Sequence, residues 1–423
     1  MDTPHALALG VFTSYFLIII TLFTIILRSI PKAGNGVNRR KTWLFRFLTL
    51  GSLAHTWLYM FKFMAWSFDN YESLNPTTIS SAPLERLTSW LLNTSLFEQA
   101  WAAVCFGPIN WWWSEQLCVY TVIWTLFLVI EGRAKSIKHL WAYMLLGQLV
   151  AISVASNLFY LAILHSTPTQ RSSKLQNRVT PLVTVPLVVS LLTIVVSPHT
   201  NTRTFLPNLL TMHALLVIPL LTSTPLASTR QPNAVRISKL ITFISLTIVF
   251  LRFRTDIVAA FAVIGRSLPS PVSFVYSLSG FLPEQPSPSP LHAIIYTIKA
   301  LVQPVSTFLA TPISNYTSAF THFISAALVE VWDTLHSHPA QSSIGWDVVW
   351  TSASLGAWVL GGGGRGGVVV IDSEVPIRLL RNRREVRRIG RGVFVSLVGF
   401  PGLVSSLTEP WAVGVEGVGG KKD

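Results

Sequence analysis

The strongest constraint in this sequence is its long apolar runs. The first extends from Leu7 to Ile30 and holds no charged side chain before Arg28. About 20 such residues cross the hydrocarbon core of a bilayer. Only 12% of the 423 residues are charged, about half the usual share in soluble domains, as expected where hydrocarbon penalises charge. The fold class predicted is all-α, a polytopic transmembrane helix bundle of about seven to nine spans.

Hydropathy and periodicity predict helices across most of residues 1–361, which we expect to form the bundle. Residues 96–130 are too long for one simple span and contain Gly107-Pro108, which predicts a broken or re-entrant segment before a helix. Residues 140–164 predict one uninterrupted helix, in which Gly147, Ala151 and Ala155 form a small-residue stripe for close packing. Further helices are expected at residues 7–30, 44–66, 180–197, 206–224, 239–251, 291–310, 315–332 and 344–360.

Two segments differ in composition from the bundle. Residues 269–290 are rich in proline and predict an extended linker. Residues 362–423 form a Gly/Arg/Val-rich basic tail with 10 Lys plus Arg against 6 Asp plus Glu, which predicts a disordered or interfacial segment. No chemistry is assigned to the tail.

Charge distribution predicts the sidedness of the bundle. The net charge of +14 is better explained by basic cytoplasmic loops than by binding to nucleic acid. We also expect a multi-pass protein of the endoplasmic reticulum whose partner is the lipid bilayer. The loop at 165–179 conflicts with strict alternation, because it carries Arg171, Lys174 and Arg178 and no acid, yet would lie in the lumen.

Several catalytic motifs are absent from the sequence. It has no His-rich di-iron box, no DDxxD or DxDD run, no Walker loop and no GxGxxG. Its two cysteines, Cys105 and Cys118, exclude a disulfide-rich domain. We therefore expect no metal and no cofactor.

Acidic residues inside apolar helices are the remaining candidates for chemistry, because they are costly in a bilayer unless they are paired or functional. Glu115 directly follows Trp111, Trp112 and Trp113. A carboxyl among aromatic rings favours its protonated form and could donate that proton. A tryptophan belt with a glutamate at the water boundary explains the pattern equally well.

Asp347 and Glu98 are the other two candidate acids. Asp347 shares a helical face with Trp350, Thr351 and Ser354, although an acid at the start of a helix is the alternative explanation. Glu98 lies one turn before Trp101 and is the weaker candidate.

Two further polar patterns favour structural roles. Asp256 follows Arg252 by four residues, which predicts an ion pair. Ser153, Ser156, Asn157 and Tyr160 form a stripe that suits either a substrate hydroxyl or interhelical hydrogen bonds.

Protonated carboxyls among many aromatic rings suit the protonation of an apolar polyene or its epoxide. The carbocation that forms would be held by ring faces through cation–π attraction, about 2 kcal/mol or more per ring when desolvated. The candidate residues that line the substrate or stabilise the cation are Trp111, Trp112, Trp113, Trp124, Trp350, Asn157 and Tyr160.

Three stretches carry a family resemblance. They are Trp112 to Cys118 with Glu131-Gly132-Arg133, Leu140 to Gln148, and Ser343 to Asp347. Residues 95–165 and 341–360 together resemble the integral-membrane meroterpenoid cyclases of fungal gene clusters, of the type found in the ascofuranone and macrophorin pathways.

This resemblance implies a cofactor-free terpene cyclase that acts on a lipophilic prenylated substrate. The enzyme would protonate the terminal epoxide or alkene of a prenyl chain on an aromatic or polyketide core, with Glu115 and Asp347 as the positions to test. The alternatives are a transporter or scaffold of a secondary-metabolite pathway and a membrane isomerase of another type. Neither the exact substrate nor the oligomeric state follows from the sequence.

Overall fold

The structure is a computed structural model that describes residues 3–32, 34, 37–76, 82–166, 178–201, 203–221, 234–267, 325 and 327–361. The predicted linker at 269–290, the predicted helix at 291–310 and the tail at 362–423 lie outside these residues, as does most of the helix predicted at 315–332.

Helices account for nearly all of the described chain, which confirms the all-α class. A single-turn 3-10 helix lies at Ser197–His199, and residues 327–337 are also helical. Two short strands, β1 at Arg178–Val179 and β2 at Val235–Arg236, pair antiparallel. The long and short α-helices are α1 Thr3–Ser29, α2 Arg39–Leu74, α3 Pro83–Asn93, α4 Leu96–Cys105, α5 Pro108–Ala134, α6 Leu140–Leu149, α7 Ile152–His165, α8 Pro181–Val196, α9 Phe205–Leu221, α10 Ile237–Ser267 and α11 Pro339–Leu360.

Among the described residues, three segments are long and apolar enough to cross a membrane: α1, α5, and α8 with the 3-10 turn that follows it. The shorter helices α6, α7 and α9 are also apolar. Many large apolar side chains on the outside of the helices are exposed, among them Leu17, Phe47 and Phe250. Such a surface is compatible with association with a membrane.

The predicted break at Gly107-Pro108 is confirmed, since α4 ends at Cys105 and α5 begins at Pro108. Gly107 has a φ of +103°, in the region that residues with a Cβ rarely adopt. Pro108 occupies the first helical position, where its missing N–H leaves no hydrogen bond unmade. The local sequence is therefore sufficient to end one helix and begin the next at this point.

The prediction of one helix over residues 140–164 is wrong. The helix is interrupted at Val150 and Ala151, and neither of these two residues is a proline or a glycine. The freed backbone groups are instead satisfied by side chains from other helices. Tyr15 of α1 donates a hydrogen bond to the Leu149 carbonyl (2.7 Å), and Asp347 of α11 accepts from the first amides of α7. Tertiary contacts rather than local propensity end the helix.

As a result, α6 and α7 form a hairpin that begins and ends at one end of the bundle. Tyr143, early in α6, lies beside Ser29 at the end of α1. Leu149 at the tip reaches Tyr15, deep along α1. His165, the last residue of α7, hydrogen-bonds through Nδ1 to the carbonyl of Pro31 (3.1 Å).

The small-residue stripe packs the two arms of this hairpin together. A Cβ placed on Gly147 would lie 2.7 Å from Ile152 Cδ1, 3.2 Å from Trp124 Cζ3 and 3.5 Å from the Ala155 Cβ. The close approach predicted for Gly147 and Ala155 is therefore present, and it lies between α6 and α7 with Trp124 of α5 behind them.

Helices α2 and α11 run antiparallel at the centre of the bundle. Ser343 donates to the Thr56 carbonyl (3.3 Å), the Trp350 ring fills the space beside Gly51, and Phe45 contacts Trp358 (ring centroids 5.9 Å apart). This pairing places Asp347 midway along α2, at the level of the hairpin tip.

Gly147→Val should lower the free energy of unfolding by about 1–3 kcal/mol, because the added methyl groups overpack the hairpin. The measurement is thermal unfolding of the detergent-solubilised protein. Gly10→Val on α1 is the matched control, since nothing lies within 4 Å of a Cβ there. Equal melting temperatures for the two variants would contradict the tight packing of α6 against α7.

Candidate functional site

A cavity of about 100 Å³ lies where the hairpin tip meets α2, α4, α5, α9 and α11. Asp347 is the only acidic residue among its described lining residues. The other polar groups come from different helices, and apolar side chains complete the wall. Its lining residues include Asp347, Gln148, Ile152, Trp101 and His213.

The Asp347 carboxyl caps the N-terminus of α7. Oδ2 accepts a hydrogen bond from the backbone amide of Ile152 (2.8 Å) and Oδ1 accepts from that of Ser153 (2.9 Å). The hydroxyls of Ser153 and Thr351 lie beside it. Asp347 is well inside α11, so the alternative that it is an acid at the start of its own helix is wrong. It serves the dipole of a different helix.

The buried carboxyl of Asp347 has neutral partners. Its residue is 5% exposed, and within the described part of the chain no ion pair involves it. The two amides hold its oxygens in place, while the lack of a described cationic partner means that no ion pair must break when the carboxyl takes or gives a proton. The amide hydrogen bonds favour the carboxylate, whereas burial without a described cation favours the protonated carboxyl, so this geometry suits a group that exchanges a proton at the wall of a cavity.

Trp101 and His213 form an aromatic part of the same wall. Their rings meet edge to face with centroids 5.5 Å apart, and the Phe97 ring contacts both, 6.1 Å from the imidazole and 6.4 Å from Trp101. Gln148, one residue before the end of α6, donates from Nε2 to the backbone carbonyl of His213 (3.0 Å). The hairpin, α4 and α9 are thus joined around the cavity.

Glu115 has a different setting from Asp347. It is 2% exposed and pairs through Oε2 with Nη1 of Arg252 (3.1 Å). The other guanidinium nitrogen, Nη2, pairs with Asp256 (3.1 Å), so the ion pair predicted within α10 is present. Glu115 faces α10 and is not among the lining residues of the Asp347 cavity.

Trp112 completes the charged cluster around Arg252. Its indole N–H donates to Asp256 (2.7 Å), its carbonyl accepts from Arg252 Nη1 (3.0 Å), and its ring lies 5.2 Å from the guanidinium carbon. The face of this ring already meets a protein cation. Cation–π attraction, predicted for a substrate, here serves the packing of α10 on α5.

The remaining predicted aromatic residues lie around the cavity rather than on its described wall. Trp113 donates from its indole to the Val331 carbonyl (3.3 Å), and Trp350 donates to Nδ1 of His55 (3.1 Å). Trp111 is buried in the core, and Trp124 lies behind Gly147. Of these, Trp124 is separated from the cavity only by a glycine.

Asn157 and Tyr160 belong to a second polar cluster between α5, α7 and α11. The Tyr160 ring stacks on Trp358 (4.7 Å, 12° between planes), and its hydroxyl lies 3.4 Å from that of Tyr120. Asn157 is fully buried, and neither atom of its amide has a hydrogen-bond partner among the described residues. Neither Asn157 nor Tyr160 is among the described lining residues of the cavity.

Glu98, the third candidate acid, is separate from Asp347. It lines an open polar groove between the end of α2 and the start of α4, together with Asn70, Asn93 and Gln99. The structure thus does not bring the three predicted acids together.

Among the cavity residues that were not predicted from the sequence are His213, Gln148 and Trp101. His213 and Gln148 are isolated polar residues in apolar helices, and that isolation was the available signal. Within the described ranges, no group of three His, Cys, Asp or Glu side chains is arranged to hold a metal ion. No protein-family model, no curated protein and no solved structure matches this chain.

Arg252→Met should lower the free energy of unfolding by about 3–5 kcal/mol, because it leaves Glu115 buried without its charge partner. The double variant with Glu115→Gln should recover a large part of that loss, since the buried charge is then gone. Thermal unfolding of the wild type, both single variants and the double variant measures the coupling. Strictly additive effects would contradict the ion pair.

Proposed function

We propose that this protein is a membrane-embedded terpene cyclase in which Asp347 is the general acid. The observation that carries the proposal is a buried carboxyl, held by two backbone amides and free of described ion pairs, on the wall of a cavity between apolar helices. The resemblance of residues 95–165 and 341–360 to fungal membrane-bound meroterpenoid cyclases supports the same chemistry.

The cavity suits the reacting end of a chain rather than a whole substrate. Its volume of about 100 Å³ is below the roughly 300–1,000 Å³ typical of ligand pockets, and an apolar cavity of about 150 Å³ holds one benzene molecule. The terminal isoprenyl unit would enter it while the remainder of the prenylated molecule lies among the helices or in the bilayer.

The reaction needs only proton transfer. The Asp347 carboxyl gives its proton to the terminal alkene carbon or epoxide oxygen, and internal double bonds attack the cation in turn to form rings. Trp101, on the cavity wall, is placed to stabilise positive charge by about 2 kcal/mol or more when desolvated. A final deprotonation restores the proton count, so the product is an isomer of the substrate.

In this proposal Glu115 is a positioning residue. Its pairing with Arg252 offsets the charge of the guanidinium, which in turn holds Trp112 and joins α10 to α5. We therefore assign the donated proton to Asp347, whose carboxyl lies on the cavity wall.

A transporter is the second candidate, and the broken helix favours it. Discontinuous helices whose ends meet a cavity at mid-depth are the usual binding sites of secondary transporters. Here, however, the N-terminus of α7 is already occupied by the carboxyl of Asp347, which leaves no free helix end for an anionic solute. The cyclase remains the better proposal.

We further propose that the α6–α7 hairpin is re-entrant in a multi-pass arrangement in the endoplasmic reticulum. The basic loop at 133–138, the loop at 165–179 and the start of α2 would then all lie on the cytosolic side. This removes the conflict between Arg171, Lys174 and Arg178 and the tendency of basic residues to remain in the cytosol. The pairing of β1 with β2 agrees, since it joins Arg178 to Arg236, another basic residue.

Cysteine labelling of intact microsomes tests this sidedness. Lys174→Cys and Lys138→Cys should both react with an impermeant maleimide without permeabilisation, whereas Asp69→Cys near the opposite end of α2 should need it. Native Cys105 and Cys118 are buried, so they give little background. If Lys174→Cys behaves like Asp69→Cys, then α6 and α7 cross the membrane and the re-entrant arrangement is wrong.

Asp347→Asn should reduce cyclisation by about 10²–10⁴-fold, because the carboxyl proton is lost while one oxygen still accepts from α7. The measurement is conversion of a farnesyl-bearing phenol, with a terminal alkene or epoxide, to mass-neutral isomers by purified protein in detergent. Exposed Asp69→Asn is the matched control and should retain wild-type activity. If Asp347→Asn is expressed normally and cyclises at the wild-type rate, the assignment of Asp347 as the general acid is wrong. If the wild-type protein forms no isomer, the cyclase proposal is wrong.

A further inference from the structure

His213 presents one free nitrogen within the cavity region. Its Nδ1 lies 2.8 Å from the backbone carbonyl of Leu209. A carbonyl oxygen can only accept, so Nδ1 carries the hydrogen of this bond. In a neutral imidazole the other nitrogen, Nε2, is then an acceptor with an available lone pair. Among the described residues, none makes a hydrogen bond to this Nε2.

The ring of His213 is held in one orientation. The hydrogen bond to Leu209 fixes one edge, and Trp101 and Phe97 pack against the ring. Gln148 holds the backbone carbonyl of the same residue. Within the described chain, no ion pair involves His213. A neutral and oriented base thus lies on the wall that Asp347 also lines.

We propose that His213 is the proton acceptor that ends the cyclisation, an inference that rests on the proposed cyclase function. The Nε2 lone pair takes a proton from the carbon next to the final cation. That C–H bond breaks, its electron pair forms the new C=C bond, and the imidazole becomes an imidazolium. Transfer of that proton through solvent to the Asp347 carboxylate restores both groups, so no oxidant or co-reactant is needed.

A separate acceptor has a chemical reason. Protonation occurs at the terminal alkene carbon or epoxide oxygen, whereas the final deprotonation occurs at a different carbon of the folded chain. Asp347 comes from α11 and His213 from α9, and both residues line one cavity. A base on a different helix from the acid can reach that carbon.

Two substitutions separate the two nitrogens of His213. His213→Asn places an amide N–H where Nδ1 was and keeps the bond to Leu209, but it has no group at the position of Nε2. His213→Gln places its amide near the Nε2 position and supplies only a very weak base. His5→Asn in α1 is the matched control for the loss of a histidine elsewhere.

The experiment uses purified full-length protein and a farnesyl-bearing phenol with a terminal alkene, in D₂O. For His213→Asn we expect the alkene product to form about 10²-fold more slowly than in the wild type. Deuterium should still enter recovered substrate or a hydrated product, because Asp347 still forms the cation, which then reverses or captures water. His213→Gln should show the same pattern, and His5→Asn should match the wild type.

Two results would overturn the inference. One is a wild-type rate and product ratio in His213→Asn. The other is parallel loss of deuterium entry and product in both variants at unchanged melting temperature, which would show that His213 is needed to form the cation rather than to end the reaction. If His213→Asn unfolds at a lower temperature than the wild type, the His213→Gln variant tests the inference by the same two measurements, product formation and deuterium entry. A wild-type protein without isomer formation would overturn the proposed function itself, and this outcome differs from all the others.

Discussion

The pair of hydrogen bonds from the start of α7 to the Asp347 carboxyl is the interaction on which this bundle depends. Ending α6 at Leu149 leaves backbone groups without partners in an apolar interior, where each would cost several kcal/mol. Asp347 satisfies two of them and Tyr15 a third. Those contacts replace the backbone hydrogen bonds that one continuous helix over residues 140–165 would make. The hairpin, the cavity at its tip and the position of the acid all follow.

Charge is handled in two ways in this protein. Around Arg252, two carboxylates and the ring of Trp112 offset the charge of the guanidinium, so that α10 packs on α5 despite its buried cation. Around Asp347, by contrast, the partners are backbone amides and hydroxyls. The first arrangement holds its protons and charges in place, because removing either partner leaves a buried charge. The second leaves a buried carboxyl without a described ion pair.

Local signals predicted the parts of the fold that local physics decides. Gly107-Pro108 marks its own break, because only glycine tolerates that φ and proline suits the first turn. The hairpin tip at Val150 carries no such signal, and its break depends on Tyr15 and Asp347, which are far away in the chain. The same limit applies to the site. Asp347 stood out as an acid in an apolar helix, whereas His213 became a candidate only beside Trp101.

The sequence by itself determined an apolar, all-helical chain with few acids, since hydropathy and periodicity act over single helices. It also marked Asp347 and Glu115 as unusual, because buried carboxyls are costly wherever they lie. Only the tertiary structure decided that Glu115 meets Arg252 and that Asp347 meets the end of a broken helix. The physical reason is that the role of a buried carboxyl depends on its hydrogen-bond donors, and those come from helices more than 100 residues away.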